Sequence, residues 1–325
     1  MRRWSLGMAG AGSGVASGAG GIACIVGAML LLSLQDSIVK WLGAHYALHQ
    51  IVLIRSLIAA GITLAVLAAM SRLGDLRTRR WSLHLTRGVL MVASNSFFFL
   101  GLVAMPIAEA VAMFFVAPLF ITLLSALLLG EPVGPRRLAA VLVGFAGVVI
   151  TVRPGSGLIG YVALLPVGAA ATYAIMQILT RRLGTTDSAA AMAFHGQVIF
   201  ITAAALVGLA VGDGRFAGSD DPSLNFLLRA WHLPGEADLP LFGLVGVLIA
   251  GASVLLFQAY RTTEAATIAP FEYVALPFAT LWGWLIWGEV PDAVAFTGMA
   301  LIVGSGVFII LRTERLRSEP SPPSG

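Results

Sequence analysis

The chain alternates between long apolar stretches and short polar connections. A transmembrane helix needs about 20 consecutive, mainly apolar residues, and ten stretches reach or approach that length. They are too long and continuous for the strands of a membrane barrel, so the pattern predicts an all-α polytopic membrane protein. The ten predicted spans are Gly21–Leu42, His49–Met70, Leu83–Met105, Ile107–Leu129, Leu138–Val152, Gly160–Thr180, Ala189–Val211, Leu239–Tyr260, Ala265–Trp287 and Val294–Leu311.

The composition supports this fold class. Hydrophobic residues make up 58% of the 325-residue chain and charged residues 11%, whereas soluble domains have about 45–50% and ~25%. So few polar residues exclude a soluble enzyme, a disordered chain and a fibrous protein, and the lipid bilayer is the predicted partner. The net charge of +4 does not indicate nucleic acid, because the cations lie at the ends of apolar stretches. The single cysteine, Cys24, excludes an internal disulfide and a cysteine-based metal site, and neither a metal nor a cofactor is predicted.

Three segments lie outside the predicted spans. Residues 1–20, rich in Gly, Ala and Ser, are predicted to be disordered, and residues 312–325 to form a cytoplasmic tail. The longest connection, residues 212–238, contains a run in which Leu224, Leu227, Leu228 and Trp231 share one helical face. This run is either a short helix in the membrane interface or a packed loop segment.

The basic residues predict the orientation. Placing the N-terminus in the cytoplasm puts fifteen of the twenty Lys and Arg residues inside, four outside and Arg55 within a span. Cytoplasmic loops carry an excess of Lys and Arg, so both termini are predicted to be cytoplasmic, in the inner membrane, with the 212–238 loop external. The four external cations are Lys40, Arg153, Arg215 and Arg229.

The two halves of the chain contain matching features in the same order. Lys40-Trp41-Leu42-Gly43 closes the first span and Arg181-Arg182-Leu183-Gly184 the sixth, while Pro118 before Gly130-Glu131 matches Pro277 before Gly288-Glu289. The repeats are residues 21–153 and 160–311, and since each holds five spans, the second is inverted relative to the first. Inverted repeats are typical of secondary transporters, whose substrate site lies between the repeats near the bilayer midplane. We therefore expect alternating access and a small organic substrate.

A further pattern lies in the fourth span of each repeat. One run extends from Ala108-Glu109-Ala110 through Ala117-Pro118 to Gly130-Glu131, the other from Glu264-Ala265-Ala266 through Ala269-Pro270-Phe271-Glu272-Tyr273 to Gly288-Glu289. These runs resemble the paired EamA-type domains of the drug/metabolite transporter superfamily. Asp36, Lys40 and Arg55 are similar to the branch with riboflavin and S-adenosylmethionine carriers. The resemblance implies ten helices, a central cavity lined by spans one to four and six to nine, and transport of a small metabolite. A coupling proton or ion and a homodimer are further expectations.

Four charged residues within spans are candidate substrate contacts, since charge inside a membrane is costly and marks a pathway or a buried pair. Asp36 and Lys40 lie four residues apart on one helix, so they either pair with each other or contact substrate. Arg55 either binds an anionic group or holds Asp36 or Glu272. Glu272 lies between Pro270 and Pro277, and the first repeat has Met113 in its place. It is either a site for a cation, proton or polar substrate, or a partner of Arg55 or Tyr273.

The remaining candidates are uncharged or at span ends. Pro118 and Pro277 interrupt helical hydrogen bonding at equivalent positions and are predicted to mark gating helices. Glu131 and Glu289 are expected to be helix caps and interface anchors, and Trp282, Trp284 and Trp287 to be interface residues. Two pairs of small residues, Ala140 with Gly144 and Ala300 with Gly304, are predicted to form helix-packing faces on spans five and ten. The other candidates for the cavity are Asn95, Gln177, His195, Gln258 and Tyr273.

Enzyme signatures are missing from the sequence. It has no His-Glu-x-x-His, no Gly-x-Ser-x-Gly and no Walker-type phosphate loop, which excludes an ATP-driven pump for this chain alone. A membrane-embedded enzyme, or an exporter of drugs or amino acids with the same fold, stays as an alternative to the metabolite transporter.

Overall fold

A computed structural model describes residues 11–78, 81–130, 134–153, 160–183, 189–263 and 268–318. All regular structure in these residues is helical. The α-helices are α1 (Ala11–Leu42), α2 (Leu48–Ala69), α3 (Trp81–Leu102), α4 (Ile107–Phe114), α5 (Ala117–Leu129), α6 (Pro135–Val152), α7 (Leu164–Leu183), α8 (Ala189–Val211), α9 (Pro222–Leu228), α10 (Leu239–Thr262), α11 (Ala275–Trp287) and α12 (Ala293–Ser318). Three 3₁₀ turns cover Leu73–Leu76, Gly160–Ala163 and Ala269–Val274.

The helices account for the ten predicted spans. Eight candidate spans are long and apolar enough to cross a membrane, with α4 and α5 together forming one of them. Helix α7 holds a shorter apolar stretch, Leu164–Leu179. The ninth span is a 3₁₀ turn followed by the 13-residue α11, while predicted residues 265–267 lie outside the described residues. The chain is an all-α polytopic membrane protein.

Both spans that were predicted to contain a proline interruption are broken. Pro118 lies in the first turn of α5, and α4 ends at Phe114, four residues before it. A proline has no N–H to donate and its ring displaces the carbonyl four residues earlier, so α4 cannot continue through this point. Pro277 lies in the first turn of α11, which follows the Ala269–Val274 3₁₀ turn. The fourth span of each repeat is therefore discontinuous at the same place.

The local structure after each break confirms the repeat. Helices α5 and α11 each have 13 residues and each ends on a left-handed glycine, Gly130 at φ 68° and Gly288 at φ 67°. Glycine adopts this conformation without the steric cost of a Cβ atom, and it commonly ends helices. The same length and the same ending in both halves identify them as copies of one unit.

The packing is symmetric under exchange of the two repeats. Helix α1 packs on α10 as α7 packs on α3, and α1 packs on α11 as α7 packs on α5. Helix α2 faces its own counterpart α8, and α6 faces α12. Because each repeat has an odd number of spans, these counterparts run in opposite directions through the membrane. The two repeats are thus inverted copies that pack along an approximate two-fold axis.

The hydrophobic surface fits a lipid environment. Large apolar side chains on the outside of the bundle are strongly exposed, including Leu209 at 83%, Leu127 at 79% and Leu142 at 63%. The largest buried cluster instead lies between the repeats and contains side chains from α1 to α4, α8 and α10, among them Ile51, Phe99, Leu102 and Val245.

Three predicted segments differ from the structure. Helix α1 begins at Ala11, so residues 11–20 are helical rather than disordered, while residues 1–10 lie outside the described residues. Helix α12 continues to Ser318, into the predicted tail. In the 212–238 loop a short helix, α9, does form, capped by the Asp221 side chain, which accepts a hydrogen bond from the Leu224 backbone N–H. Its buried residues are Ser223 and Phe226, while Leu224 is exposed, so α9 packs onto the bundle through a different face from the predicted one.

The close contact between α6 and α12 involves Gly144, which was predicted as a packing residue, and Gly147, which was not. A Cβ atom on Gly147 would lie 2.7 Å from the Gly298 carbonyl oxygen, and one on Gly144 2.3 Å from the Leu119 side chain. Gly304, which was predicted to face a partner helix, has nothing within 4 Å of its Cβ position, and Ala300 is exposed. The face made by Ala300 and Gly304 therefore points away from α6.

Replacing Gly147 by Ala should destabilise the protein, because its Cβ would meet the backbone of α12 rather than a movable side chain. We expect a loss of about 1–3 kcal/mol, the usual cost of overpacking, measured as a lower melting temperature in detergent. Gly304→Ala is the matched control on the same helix pair. It should be neutral or slightly stabilising, because alanine favours helix by ~1 kcal/mol over glycine. Equal losses for both variants would contradict the close contact.

Candidate functional site

A buried guanidinium forms the first polar cluster between the repeats. Arg55 on α2 is 4% exposed. It donates to the Gln35 Oε1 atom at 3.2 Å and to the Asn95 Oδ1 atom at 2.7 Å. Its charged carbon lies 5.1 Å from the centre of the Phe99 ring and 5.6 Å from that of Phe200. The guanidinium is thus held by amides and aromatic faces from three other helices, α1, α3 and α8.

Asp36 supplies the negative charge near Arg55. Gln35 donates from its Nε2 atom to the Asp36 carboxylate at 2.8 Å while accepting from Arg55, so it bridges the two charges. Asp36 is the acid that interacts electrostatically with Arg55. Of the alternatives for Arg55, the structure supports Asp36 as its counter-ion rather than Glu272. The cluster also brings Asn95 together with these residues, as expected for cavity candidates.

Lys40 pairs with an acid of the other repeat and not with Asp36. Its Nζ atom donates to Glu289 Oε1 at 2.6 Å and to the Met105 carbonyl at 2.9 Å. The Oε2 atom of Glu289 accepts from the Ile107 backbone N–H at 3.1 Å, and Lys40 lies 4.7 Å from the centre of the Trp287 ring. Of the two alternatives for Asp36 and Lys40, the pair between them does not form, because Glu289, which follows α11, takes the Lys40 ammonium group instead.

Glu289 caps a helix, as expected, although the helix belongs to the other repeat. Ile107 is the first residue of α4, and its N–H has no partner within that helix. The Glu289 carboxylate satisfies this N–H and also lies at the positive end of the α4 dipole. One acid of the second repeat therefore caps a helix of the first repeat and binds a cation on α1. Glu131 lies outside the described residues.

An open pocket of 630 Å³ lies next to this ion pair. Its walls come from the α1–α2 turn, the α3–α4 turn, α9 and the end of α11. The pocket lies at the face of the bundle that carries the 212–238 loop. We call this face the loop face. The charged residues that line it are Lys40, Asp220, Arg229 and Glu289.

The 212–238 loop is fastened tightly to the loop face. Arg229 donates to the Gly43 carbonyl at 3.1 Å, and Tyr46 donates to the Asp238 carboxylate at 2.7 Å. Trp231 donates from its indole to His49, and Gln50 donates to the His232 carbonyl at 2.6 Å. Burial lowers the pKa of Arg229. These contacts fix the loop over the α1–α2 turn.

A second cluster, which is more aromatic, lies at the two helix breaks. Gln177 on α7 donates to the Tyr173 hydroxyl at 3.0 Å, and the Tyr173 ring centre lies 5.6 Å from that of Phe114 at the end of α4. On the other side of the pseudo-two-fold axis, Tyr273 of the 3₁₀ turn stacks on Phe115 with 4.6 Å between ring centres. We call these residues, with Glu272, the break cluster.

Glu272 is placed at the break cluster, as its position between prolines suggested. It is half-buried in the Ala269–Val274 turn and lies close enough to act electrostatically on both Tyr173 and Tyr273. The Tyr273 hydroxyl is buried without a hydrogen-bond partner among the described residues. The position in the first repeat that corresponds to Glu272 is Met113, which is fully buried. The acid therefore stands on only one side of an otherwise symmetric pair of breaks.

His195 does not join either cluster. Its ring lies 4.8 Å from that of Trp81 and 4.9 Å from that of His84, and its Nδ1 atom is 2.7 Å from the Ala191 carbonyl. Trp81 begins α3 at the face opposite to the loop face. Arg55 and His195 occupy similar offsets in the two repeats, and inversion of the repeats places them toward opposite faces. Gln258 is half-buried on α10, four residues before its end.

Several polar residues in these clusters were not singled out from the sequence. Gln35 bridges Arg55 and Asp36, and Arg87 on α3 interacts electrostatically with Tyr173. Glu109 is 7% exposed, and one of its carboxylate oxygens has no hydrogen-bond partner among the described residues. Glu109 could have been found from the family pattern, because it belongs to the Ala108-Glu109-Ala110 run at the start of the fourth span. The periodicity of that span does not reveal it.

The tryptophans divide between the bilayer and the protein interior. Trp284 is 57% exposed on the surface of the bundle. Trp282 donates to the Ser33 hydroxyl at 3.2 Å and Trp287 lies against Lys40, so both contact α1. Neither acts only as an interface residue.

A second ion pair joins the repeats at the edge of the loop face. Arg153, at the end of α6, pairs with Asp292, whose carboxylate also accepts from the Ala295 N–H at 2.9 Å at the start of α12. The hydrogen bond from Arg153, followed by the one from Ala295, lowers the pKa of Asp292 from 3.8 to about 2. A lowered pKa means that the pair contributes to stability at neutral pH, and that this contribution is lost as the pH falls toward 2.

The described residues contain no group of three or more His, Cys, Asp or Glu side chains arranged to hold a metal ion.

The arrangement as a whole, with two inverted repeats, discontinuous helices and polar clusters buried between them, defines a membrane transporter rather than a scaffold.

Comparisons with known proteins agree with this class. A model described as the EamA-like transporter family matches residues 19–153. The chain is 35% identical over 254 residues to a riboflavin transporter of Rhizobium johnstonii, with 78% of each chain covered. It is 23% identical to an S-adenosylmethionine uptake transporter of Rickettsia prowazekii, covering 92% of this chain and 95% of the relative. A crystal structure with 19% identity shares the fold, with a TM-score of 0.60 over 94% of this chain and 99% of that one.

The chain belongs to the EamA-like transporter family. This confirms the resemblance to the drug/metabolite transporter superfamily. The protein is a multi-pass membrane transporter of small metabolites.

Changing Asp36 to Asn should destabilise the protein, because it leaves the buried Arg55 guanidinium without its counter-charge. Breaking a buried ion pair from one side costs about 3–5 kcal/mol, and the double variant Asp36→Asn/Arg55→Met should recover most of it. The matched comparison is the double variant Glu272→Gln/Arg55→Met. Its change in the free energy of unfolding should equal the sum of the two single changes within ~0.5 kcal/mol, as for independent sites. Melting temperatures of the single and double variants measure both couplings. A strong coupling of Arg55 to Glu272 and none to Asp36 would contradict the assignment.

Proposed function

We propose that the protein moves a planar, polar heteroaromatic metabolite across the inner membrane by alternating access between its two inverted repeats. The compound class is that of a flavin or an adenosyl compound. The observation that carries this proposal is the break cluster, where aromatic rings and polar groups converge at the two discontinuous helices. Discontinuous helices near the midplane form the substrate sites of other inverted-repeat transporters.

The chemistry of the break cluster supports a planar substrate. Phe114 and Phe115 lie at the first break, where Phe114 packs against Tyr173 of α7 and Phe115 against Tyr273 of the second break. Aromatic rings stack on flat ring systems, while the Gln177 amide and the Glu272 carboxylate can bind the donors and acceptors at their edges. The relatives named for riboflavin and S-adenosylmethionine transport carry compounds that contain such ring systems.

Glu272 also suits the coupling of transport to a proton. It is the acid that breaks the symmetry between the repeats, and it lies at a turn rather than within a regular helix. A carboxyl group that is protonated in one state and ionised in the other can couple a proton gradient to the conformational change. The Pro118 and Pro277 breaks are the points at which the two flanking helices would bend.

A transport assay tests substrate and mechanism together. Purified protein should show a higher melting temperature with its substrate than without it when screened against flavins, adenosyl compounds, nucleosides and amino acids. In proteoliposomes the stabilising compound should be transported, faster with a pH gradient. Tyr173→Leu should raise KM roughly tenfold through the loss of ring stacking. Phe120→Leu is the control and should leave KM unchanged, because the Phe120 ring packs on Phe145 of the peripheral α6.

Each negative result has a definite meaning. Stabilisation by amino acids or drugs only would replace the proposed substrate class with that of an exporter of the same fold. Conversion of the compound to a product, without flux, would establish an enzyme instead. Equal effects of the Tyr173 and Phe120 variants on KM would remove the break cluster from the substrate site.

The orientation is tested separately. In a Cys24→Ser background, Ala217→Cys on the 212–238 loop should react with a membrane-impermeant maleimide in intact cells. Gly74→Cys, on the Leu73–Leu76 turn, should react only after the cells are permeabilised. Both positions are exposed, and Gly74 has nothing within 4 Å of its Cβ position. The reverse pattern would invert the proposed topology, in which the excess of Lys and Arg lies inside.

A further inference from the structure

The Lys40–Glu289 ion pair joins parts that must separate if the loop face is to open. Lys40 lies near the end of α1 in the first repeat, and Glu289 follows α11 in the second repeat. Through the Met105 carbonyl and the Ile107 N–H the same two side chains also hold the α3–α4 turn. Parts of both repeats, α1, the α3–α4 turn and the end of α11, therefore meet at one ion pair.

The position of the pair fits a closed passage. The 630 Å³ pocket is open at the loop face, and both Lys40 and Glu289 line it. The side chains are 8% and 25% exposed, so the pair is mostly shielded from the pocket that it borders. Asp36 lies one helical turn deeper than Lys40 on α1, and its network leads to Arg55. The pair thus separates an open vestibule from the buried polar clusters.

The local packing also makes the closed arrangement specific. A Cβ atom on Gly283 of α11 would lie 2.9 Å from the Ile107 side chain, so the absence of a side chain at Gly283 lets α11 approach the start of α4. This close approach brings Glu289 within reach of the Ile107 N–H. The ion pair and the helix cap form only when α1, α4 and α11 are together.

We propose that the Lys40–Glu289 pair is the outer gate of the transport pathway, and that the pocket above it is the outer vestibule. The proposal rests on the proposed orientation and on alternating access. In the closed state the pair and the Ile107 cap hold α11 and the α3–α4 turn against α1. In the outward-open state α11 moves away from α1, the pair breaks, and water from the vestibule solvates both charges. Lys40 acts on the gate and not as a substrate contact.

The gate is tested by the accessibility of a residue behind it. Ser33 lies seven residues before Lys40 on α1, about 10 Å deeper at 1.5 Å per residue, and its hydroxyl contacts Trp282 of α11. It is 2% exposed, so Ser33→Cys in a Cys24→Ser background should react slowly with a membrane-impermeant maleimide applied to intact cells. Glu289→Gln and Lys40→Met should each raise this labelling rate roughly tenfold or more by shifting the population toward the open state.

Arg153→Gln is the matched control. It removes an ion pair that also joins the two repeats at the loop face, but one that lies between the peripheral α6 and α12. It should leave the labelling rate of Ser33→Cys unchanged. Ala217→Cys in each variant reports the amount of protein on the surface, and a melting temperature reports whether it is folded. Glu289→Gln is the milder change, because its amide oxygen can still accept from the Ile107 N–H.

The outcomes separate the gate from the transport proposal. Faster labelling of Ser33→Cys in folded Lys40→Met and Glu289→Gln, with an unchanged rate in Arg153→Gln, supports the gate whether or not any compound is transported. Unchanged labelling in folded Lys40→Met and Glu289→Gln would overturn it. Equal acceleration by Arg153→Gln, or unfolding of both variants, would show that the pair is a general structural contact and would overturn it as well.

Discussion

The bilayer offers no water to bond backbone groups or to solvate charge, and the rest of the structure depends on this constraint. It requires helices for every crossing segment, and it requires a partner for each charge that lies between them. Arg55 meets the second requirement with two amides, two aromatic rings and the nearby Asp36 charge. Lys40 meets it with Glu289 and a backbone carbonyl. Each solution uses groups from several helices, so compensation of the charges also fixes how the helices pack.

The same constraint explains where the helices are allowed to break. A broken helix leaves N–H and C=O groups unpaired, which is tolerated in a membrane only inside the protein or at a water-filled cavity. The breaks at Pro118 and in the Ala269–Val274 turn lie between the repeats. One buried helix start, that of α4, has its Ile107 N–H satisfied by the Glu289 carboxylate from the other repeat. Irregular backbone is thereby confined to the region between the repeats, where a substrate site and a gate require it.

The sequence predicted the architecture of the protein better than it predicted the side-chain contacts. The apolar stretches, the matched Pro and Gly-Glu positions and the odd number of spans were enough for ten segments, two inverted copies and both breaks, because each depends on residues close together in the chain. The Lys40–Glu289 pair was missed, since its members are 249 positions apart and the nearer Asp36 offered a plausible helical neighbour. Gln35 and Glu109 were missed because an amide or acid inside an apolar run has no periodicity of its own. His195 was grouped with the cavity because it is a polar residue within a span, whereas the inversion of the repeats places it away from Arg55, beside Trp81 and His84.

Symmetry in the scaffold and asymmetry in the polar groups have different physical sources. The shared helix lengths, breaks and left-handed glycines follow from backbone rules that act equally in both copies, so they survive in each. The charged groups are not constrained in this way, so they can differ between the two copies. Glu272 stands opposite a buried Met113, and the 212–238 loop covers one face only. The functional chemistry of this protein is therefore to be sought where the two repeats differ, on a framework that works because they are alike.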